Sequence, residues 1–408
     1  MNILIIHCSF IYTGGGERIV LEQIDHLTRR GNKVLCYTPV LDTKNCFPDI
    51  IKKYQIKTFL PQLPRWFPIR HAIVMLLSCI ITPLYAFKFK NVDIIIGENQ
   101  PGAWIAYVLS VLTKKPYIVY LNHPNRMIYP RDNEDWASIK DFKLLSYLFF
   151  LFKPVLKILD NISIKNAKQR LVNGIFIGKE IEKIYNISWM ACPSGAIRIK
   201  EYKDREENKS GKITINGRTI DRPFILFTGR HQKWKRIDWL VEIGSIISKQ
   251  HQDFYILIPG SSTPYTEVLK RLTKKLHAQS YVLFLGRITQ EELRKLYLQA
   301  SAYAFPSEKE DFGIVIIEAM GHGVPVVAWN VGGPTDSVVD HKTGYLIEPY
   351  DKEKFAQALL SILTNNKLQN SLGRNAVEHI AKNFSWTRHT NILEQELKKA
   401  VVVKHKKV

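Results

Sequence analysis

The sequence predicts an α/β protein made of two doubly wound, Rossmann-like domains facing each other across a cleft. Three observations carry this expectation. The chain has 408 residues, more than one hydrophobic core usually organises, so two domains are expected. Short runs rich in Ile and Val alternate with helical stretches in both halves, the pattern of buried parallel strands joined by crossover helices. A polar, charged stretch, EYKDREENKSGKITINGRTIDRP from Glu201 to Pro223, separates the two series. Two such halves joined by a linker place a ligand at the carboxyl ends of the strands, in a cleft between them.

The elements follow in order. NILIIHCSF, NKVLCYTP, VDIIIGEN and KPYIVYLNH read as strands, and ERIVLEQIDHLTRRG as a helix that stops at a glycine. RLVNGIFIG and KEIEKIYN read as a further strand and helix. Beyond the linker come strand FILFTG, helix RIDWLVEIGSIISKQ, strand DFYILIPG, helix TEVLKRLTKKLH, strand YVLFLG, helix TQEELRKLYLQA and strand AYAFPS. The stretch FPSEKEDFGIVIIEAMGHGVPVVAW is next, then a last helix in YDKEKFAQALLSILTN and a basic tail. The expected domains are residues 1–205 and 206–385, with a C-terminal helix or tail, 386–408, packing back towards the first domain.

Composition narrows the function. At 46% hydrophobic and 23% charged residues the chain is an ordinary globular protein. Its five cysteines (Cys8, Cys36, Cys46, Cys79, Cys192) form no C-x-x-C pair, which argues for a reducing compartment and against a disulfide framework or a zinc site. MNILIIHCSF lacks a basic n-region and a cleavage site, so it reads as a first strand rather than a secretory signal. The net charge of +21 is spread along the chain: 29 basic against 16 acidic residues up to Arg205, and 29 against 21 beyond it. Nucleic acid, an anionic membrane surface or a phosphorylated substrate could use such a field. No recognised nucleic-acid motif accompanies the charge, so nucleic acid is not an expected partner.

Two segments are greasier than a core requires. His71–Phe87 holds 17 uncharged residues between Arg70 and Lys88 with a proline inside, short of the roughly 20 that span a bilayer. Leu144–Phe152 reads LLSYLFFLF between two lysines. Each is either buried core or an interfacial surface whose flanking cations meet lipid headgroups.

Three motifs carry chemistry. In TGGGERIV, Gly14, Gly15 and Gly16 let the backbone approach a ligand and adopt positive φ ahead of a helix whose N–H groups can seat a phosphate. The run matches neither the dinucleotide fingerprint nor the P-loop, and a plain tight turn is its other reading. In FTGRHQKWKRIDWL, Arg230 and Lys235 leave one strand together. Arginine binds phosphate oxygens bidentately and lysine adds a point charge, the pair a diphosphate leaving group needs; solvated loop charges are the alternative. In the third, Glu310 and Glu318 stand eight positions apart. Were both helical, roughly 12 Å along the axis would separate them, too far for a retaining glycosidase pair and beyond an inverting one. They could hold two ends of an elongated ligand. A carboxylate inside IVIIEAMG expects a hydrogen-bonding partner or ligand.

Together, GGGER, GR-x4-K and E-x7-E, with LGRITQEELRKLYLQASAYAFPSE, VGGPTDSVVDHKTGYLIEP and the late SW of FSWTRH, resemble the family 4 retaining glycosyltransferases of the GT-B fold. The likeness runs along nearly the whole chain. Within that family, GGGERIVLEQIDHLTRRGNKVLCYTPVLDTKNCF, LPRWF and YIVYLNHPNRMIYPR are similar to the α-1,3-mannosyltransferases of lipid-linked N-glycan assembly, which also carry membrane-touching segments in the first domain.

The resemblance implies that Arg230 and Lys235 bind the donor diphosphate, that Glu310 contacts the donor sugar and that Glu318 holds the ribose diol. Phe312, Gly313, Ile314 and Val315 would supply backbone contacts, Gly14 to Gly16 would face the diphosphate from the other domain, and His123 would lie near the transferred sugar. It implies retention of configuration, no metal and no cofactor, a nucleotide-sugar donor (GDP-mannose by the finer likeness), and domain closure over the substrates. The acceptor would be a lipid-linked glycan or polysaccharide at an anionic membrane, the enzyme sitting peripherally on its cytoplasmic face. Two departures stand out: Arg236 replaces a usual glycine, and Asp336 a common glutamate. Rival readings are a UDP-sugar-dependent transferase of the same family, an epimerase of UDP-sugars or a phosphorylase on the same fold, a charge-driven nucleic-acid binder, and an NAD oxidoreductase, against which the missing G-x-G-x-x-G counts.

Overall fold

The computed structural model describes residues 1–64, 66, 67, 70–130, 143–200, 202, 205 and 212–402, with backbone alone for 143–149. The chain divides into two compact units, Met1–Ser194 with Trp386–Val408, and Gly195–Ser385.

The first unit is built on a parallel sheet. Its strands are β1 (Asn2–His7), β2 (Lys33–Thr38), β3 (Lys57–Thr58), β4 (Ile94–Glu98), β5 (Tyr117–Leu121), β6 (Arg170–Val172) and β7 (Met190–Ala191), in the order β3-β2-β1-β4-β5-β6-β7. Ile3 to Ile6 are wholly buried, as an unbroken apolar run requires of a strand covered on both faces. Between β1 and β2 runs α1 (Gly15–Arg29), whose Ile19, Val20, Ile24 and Leu27 face inward. It ends where Gly31 turns left-handed at φ +81°. Four more helices follow: α2 (Pro48–Tyr54), α3 (Arg70–Ile81), α4 (Asn99–Thr113) and α5 (Lys143–Lys165). A 3-10 segment, Thr82–Phe89, prolongs α3.

The expected strand RLVNGIFIG, the linker and the domain boundary change here. In RLVNGIFIG the strand stops at Val172, and α6 (Ile175–Tyr185) opens at Gly174. Ile177, Gly178, Ile181 and Tyr185 fill one helical face, a period that IFIG begins and a strand cannot satisfy. The basic tail is largely a helix, Trp386–Val402, belonging with the first unit. It packs Leu393 and Leu397 inward and joins α1 through Arg30–Glu394 at 3.0 Å. The linker candidate lies partly outside the described residues; its remainder forms a hairpin, Ile213–Ile215 with Arg218–Ile220. The division between units falls ahead of the linker, because Arg205 is buried in the second unit. There it donates to the carbonyls of Tyr297 (2.8 Å), His322 (3.2 Å) and Ala300.

The second unit repeats the plan. Strands β8 (Phe224–Leu226), β9 (Tyr255–Pro259), β10 (Val282–Gly286), β11 (Ala302–Phe305), β12 (Val326–Trp329) and β13 (Gly344–Ile347) lie in the order β10-β9-β8-β11-β12-β13. Alternate residues feed two cores: Ile225, Ile256, Ala304 and Val327 enter one, while Leu226, Leu257, Tyr303 and Val326 enter the other. Helices α7 (Ile237–Ser248), α8 (Pro264–Lys275), α9 (Gln290–Gln299), α10 (Ile314–Gly321), α11 (Pro334–Ser337), α12 (Lys352–Thr364) and α13 (Asn366–Asn383) complete the unit. Thr263 and Thr289 open α8 and α9 with reciprocal capping boxes. Strand order reverses between β8 and β11, the switch point at which open α/β sheets bind ligands.

Candidate functional site

The loops leaving β8 and β11 hold Arg230, Lys235, Glu310, Phe312 and Gly313, and the helix that follows the second loop, α10, holds Ile314, Val315 and Glu318. Lys235 ends a short 3-10 turn, and its Nζ lies 2.5 Å from Glu310 Oε2 and 5.7 Å from the Phe305 ring centre. Arg230 is exposed on the same loop. Arg236 adopts φ +51°, the left-handed conformation that glycine takes without strain. Its guanidinium stacks 3.7 Å over Trp239 and pairs with Asp238 at 3.4 Å. Arg236 thus meets a left-handed backbone position with its side chain anchored elsewhere.

Glu310 is not helical: it sits in the loop before α10, and Glu318 in the helix's second turn. Helical spacing therefore does not set their separation. Gly332 and Gly333 fix the Glu310 backbone. The Gly333 amide donates to the Glu310 carbonyl at 2.8 Å, and a side chain on Gly333 would stand 2.3 Å from the Phe312 Cα. Asp336 lies just beyond, in α11.

Gly313, at φ +82°, opens α10 without a side-chain cap; the Ile316 N–H donates to the Gly313 carbonyl at 2.9 Å, so it is the N–H groups of Ile314 and Val315 that can meet an anion. Phe312 is buried beneath. Ile316, Ile317, Ala319 and Met320 face the core, while Ile314, Val315 and Glu318 share the half-open face. The carboxylate in an apolar run is thus a helical residue on the site side, and Tyr297 donates to its Oε2 at 3.5 Å. Burial, and beyond it the charges of Glu318 and Glu310, push the Tyr303 hydroxyl above its ordinary range. One tyrosine therefore feels both carboxylates.

In the first unit the glycine run differs from expectation. Gly14 is the N-cap of α1 at φ −105°, and none of Gly14, Gly15 and Gly16 is left-handed. Room does not demand glycine there either: a Cβ on Gly14 would meet the flexible end of the Glu17 side chain at 2.4 Å, and one on Gly16 would make ordinary contact with Asn122 at 3.9 Å. His123 follows β5, half-buried, with Nδ1 2.9 Å from the Pro124 carbonyl. Since a carbonyl only accepts, that contact places the proton of the neutral ring on Nδ1 and leaves Nε2 as an acceptor. Behind it, Asn122 donates its amide to Asn99 Oδ1 (2.8 Å) and accepts from Asn173 Nδ2 (2.9 Å). Three asparagines that each end an apolar run in the sequence (GEN, LN, VN) so lock the strand ends ahead of His123.

Sequence reading missed Thr228, Tyr297 and Tyr303. Their one signal was a polar hydroxyl recurring in apolar surroundings, as in AYAF.

Comparison with known proteins now adds weight. Residues 209–379 match the family model described as Glycosyl transferases group 1. The alpha-1,3/1,6-mannosyltransferase ALG2 of Dictyostelium discoideum is 23% identical over 431 residues, covering 98% of each chain. The D-inositol 3-phosphate glycosyltransferase of Corynebacterium efficiens is 34% identical over 169 residues, 40% of this chain and 39% of that one. The sucrose-phosphate synthase of Thermosynechococcus elongatus superposes with a TM-score of 0.76 at 19% identity, covering 99% of this chain and 100% of that one. With these likenesses along its length, the chain carries a glycosyltransferase group 1 domain over residues 209–379 and has the GT-B fold.

Proposed function

We propose that the enzyme transfers mannose from GDP-mannose to a lipid-linked or polysaccharide acceptor at a membrane, with retention of configuration and without a metal. The observation that carries the donor half is the Lys235–Glu310 pair beside the uncapped first turn of α10. A cation, a hydroxyl-binding carboxylate and open N–H groups there occupy one sheet switch point. In this reading Arg230 and Lys235 stabilise charge as it develops on the leaving diphosphate. The N–H groups of Ile314 and Val315, with Gly313, add to it. Glu310 grips the sugar hydroxyls and Glu318 the ribose. In the first unit Gly14, Gly15 and Gly16 are assigned to diphosphate oxygens and His123 to the transferred hexose.

The bond from the anomeric carbon to the phosphate oxygen breaks, its electron pair leaving with the diphosphate. The acceptor hydroxyl attacks the same face and gives its proton to the departing phosphate, so no enzymic nucleophile is required. The sequence has no D-x-D, which fits cationic side chains and helix N-termini at the leaving group.

The mannosyl reading rests on the full-length likeness to an enzyme named for that transfer. The membrane reading rests on exposed apolar residues. Arg70–Phe89 is long and apolar enough to cross a membrane, by length and composition, yet 22% of its most apolar window is buried. Leu76, Leu77, Ile80, Leu84 and Phe87 face outward on it, as do Phe150, Leu151, Val155 and Ile158 on α5. We read these as a surface seated in a leaflet, with Lys88, Lys153 and Lys157 at its headgroups. Free cysteines fit the cytoplasmic face.

A thermal-shift panel of GDP-mannose, UDP-glucose, UDP-N-acetylglucosamine and UDP-galactose tests the donor. At 100 times its dissociation constant GDP-mannose should stabilise the protein by about 2.7 kcal/mol. A response to a UDP-sugar alone would assign the donor to that nucleotide instead, with product analysis separating transfer from epimerisation.

A further inference from the structure

Under the donor site of the second unit lies a run of hydroxyls to which the proposed reaction gives no role. Tyr303 on β11 is wholly buried, and Tyr297 on α9 is nearly so. Both reach Thr228, the residue that leads from β8 into the Gly229–Arg230 turn. The Thr228 backbone N–H lies 3.2 Å from the Tyr303 hydroxyl. That hydroxyl lies 2.9 Å from Thr228 Oγ1, which is 3.4 Å from the Tyr297 hydroxyl. The Tyr297 hydroxyl in turn lies 3.5 Å from Glu318 Oε2.

The ends of this run fix its direction. A backbone N–H can only donate, and an ionised carboxylate can only accept. With the Tyr303 O–H directed to Thr228 Oγ1 at 2.9 Å in preference to the Thr228 carbonyl at 3.4 Å, the order is Thr228 N–H to Tyr303 O–H, to Thr228 Oγ1–H, to Tyr297 O–H, to Glu318. Every donor points towards the carboxylate, so each bond polarises the next in the same sense. The two short legs lie at the Thr228–Tyr303 end. The two long ones meet at Tyr297, at the outer limit of a hydrogen bond, and such contacts tighten when a ligand draws the site together. Tyr297 is held for this: its ring stacks on His322 at 5.1 Å and 18°, and His322 Nδ1 lies 2.8 Å from the Glu318 carbonyl.

We propose that Tyr297, with Thr228 and Tyr303, is a positioning relay that aligns Glu318 for the nucleotide and couples it to the Thr228–Arg230 turn. Filling of the phosphate-binding turn and of the Glu318 subsite are then one cooperative event. The relay serves the donor site of the preceding section and rests on that reading.

The test measures GDP and UDP affinity by calorimetry for the wild type, Tyr297→Phe, Glu318→Ala and the double variant, with melting curves for each. Tyr297→Phe keeps the ring stack and removes one hydroxyl. Loss of a hydrogen bond to a charged group predicts about tenfold weaker binding of the nucleotide that the wild type takes. In the Glu318→Ala background the same substitution should change affinity by less than about twofold, since the bond it removes is already gone. Thr228→Ser should bind as the wild type, and Thr228→Val should weaken binding like Tyr297→Phe. The relay is overturned if Tyr297→Phe binds as tightly as the wild type. It is equally overturned if the penalty persists undiminished without Glu318, the result of a merely structural role. A wild type that binds neither nucleotide would remove the donor-site reading and the relay with it.

Discussion

Lys235 and Glu310 make the closest ion pair of the candidate site, yet 22% and 24% of their side chains remain exposed. A pair so placed contributes little to stability. Its loss leaves the surviving charge in reach of water, not buried alone. Lys235→Ala and Glu310→Ala should therefore melt within a few degrees of the wild type. Removing a preorganised charge from the leaving group should nonetheless lower kcat by about 10²- to 10³-fold. Side-by-side melting curves and transfer rates check this, and collapse of the fold would make the pair structural. At this scale the sequence was legible where chemistry clusters: Arg230, Lys235, Glu310 and Glu318 sit in short local motifs. Thr228 and Tyr303 stand 75 positions apart and meet only through the pairing of β8 with β11. No local pattern can announce such a contact.

Elements were readable wherever burial and period agree, as in β1, β4 and β9, where unbroken apolar runs sit inside parallel sheets. The period failed in IFIG, four residues too short to distinguish a strand from the first turn of a helix. The greasy segments could not be resolved from sequence either, because a buried helix and an interfacial one share a composition. The structure separates them by direction. Leu76, Ile80 and Leu84 recur every four residues, and Leu84 is 68% exposed. On α5, Phe150 is 75% exposed beside Leu151. Being exposed, these residues can change without opening the core. Leu76→Ser, Ile80→Ser, Phe150→Ser and Leu151→Ser together should preserve the melting temperature. Each apolar side chain fully seated in lipid is worth roughly 1.5–3 kcal/mol, so the combined variant should lose vesicle binding. Co-sedimentation with phosphatidylcholine–phosphatidylserine vesicles reads this out. Wild-type protein staying in the supernatant without detergent would refute the interfacial surface.

At the scale of the whole molecule, stability should depend on pH through groups that the first unit buries in their neutral forms. Burial lowers His7 to about 3 and His389 to about 4. His389 is also fixed by geometry. Its Nδ1 faces the Pro193 carbonyl at 3.0 Å and its Nε2 faces the Gln23 amide nitrogen at 3.3 Å, so a second ring proton would meet a donor. Below about 6.5 the unfolded chain takes up protons that the fold refuses until pH 4 or 3, and stability falls as pH falls through that window. Glu98 runs the other way: burial raises its carboxyl well above 4.5, with Gln23 partly offsetting it. Above about 4.5 the unfolded carboxyl ionises while the folded one stays protonated, so stability falls as pH rises from there. The two losses overlap between 4.5 and 6.5. Glu98→Gln, nearly isosteric and always neutral, should then melt with the wild type at pH 4.5. It should melt higher than the wild type at pH 6.5 and 8.5, while the acid loss from His7 and His389 persists in both. A gap of the same size at every pH would mean that Glu98 does not titrate differently on folding, and the neutral core of the first unit would have to be abandoned.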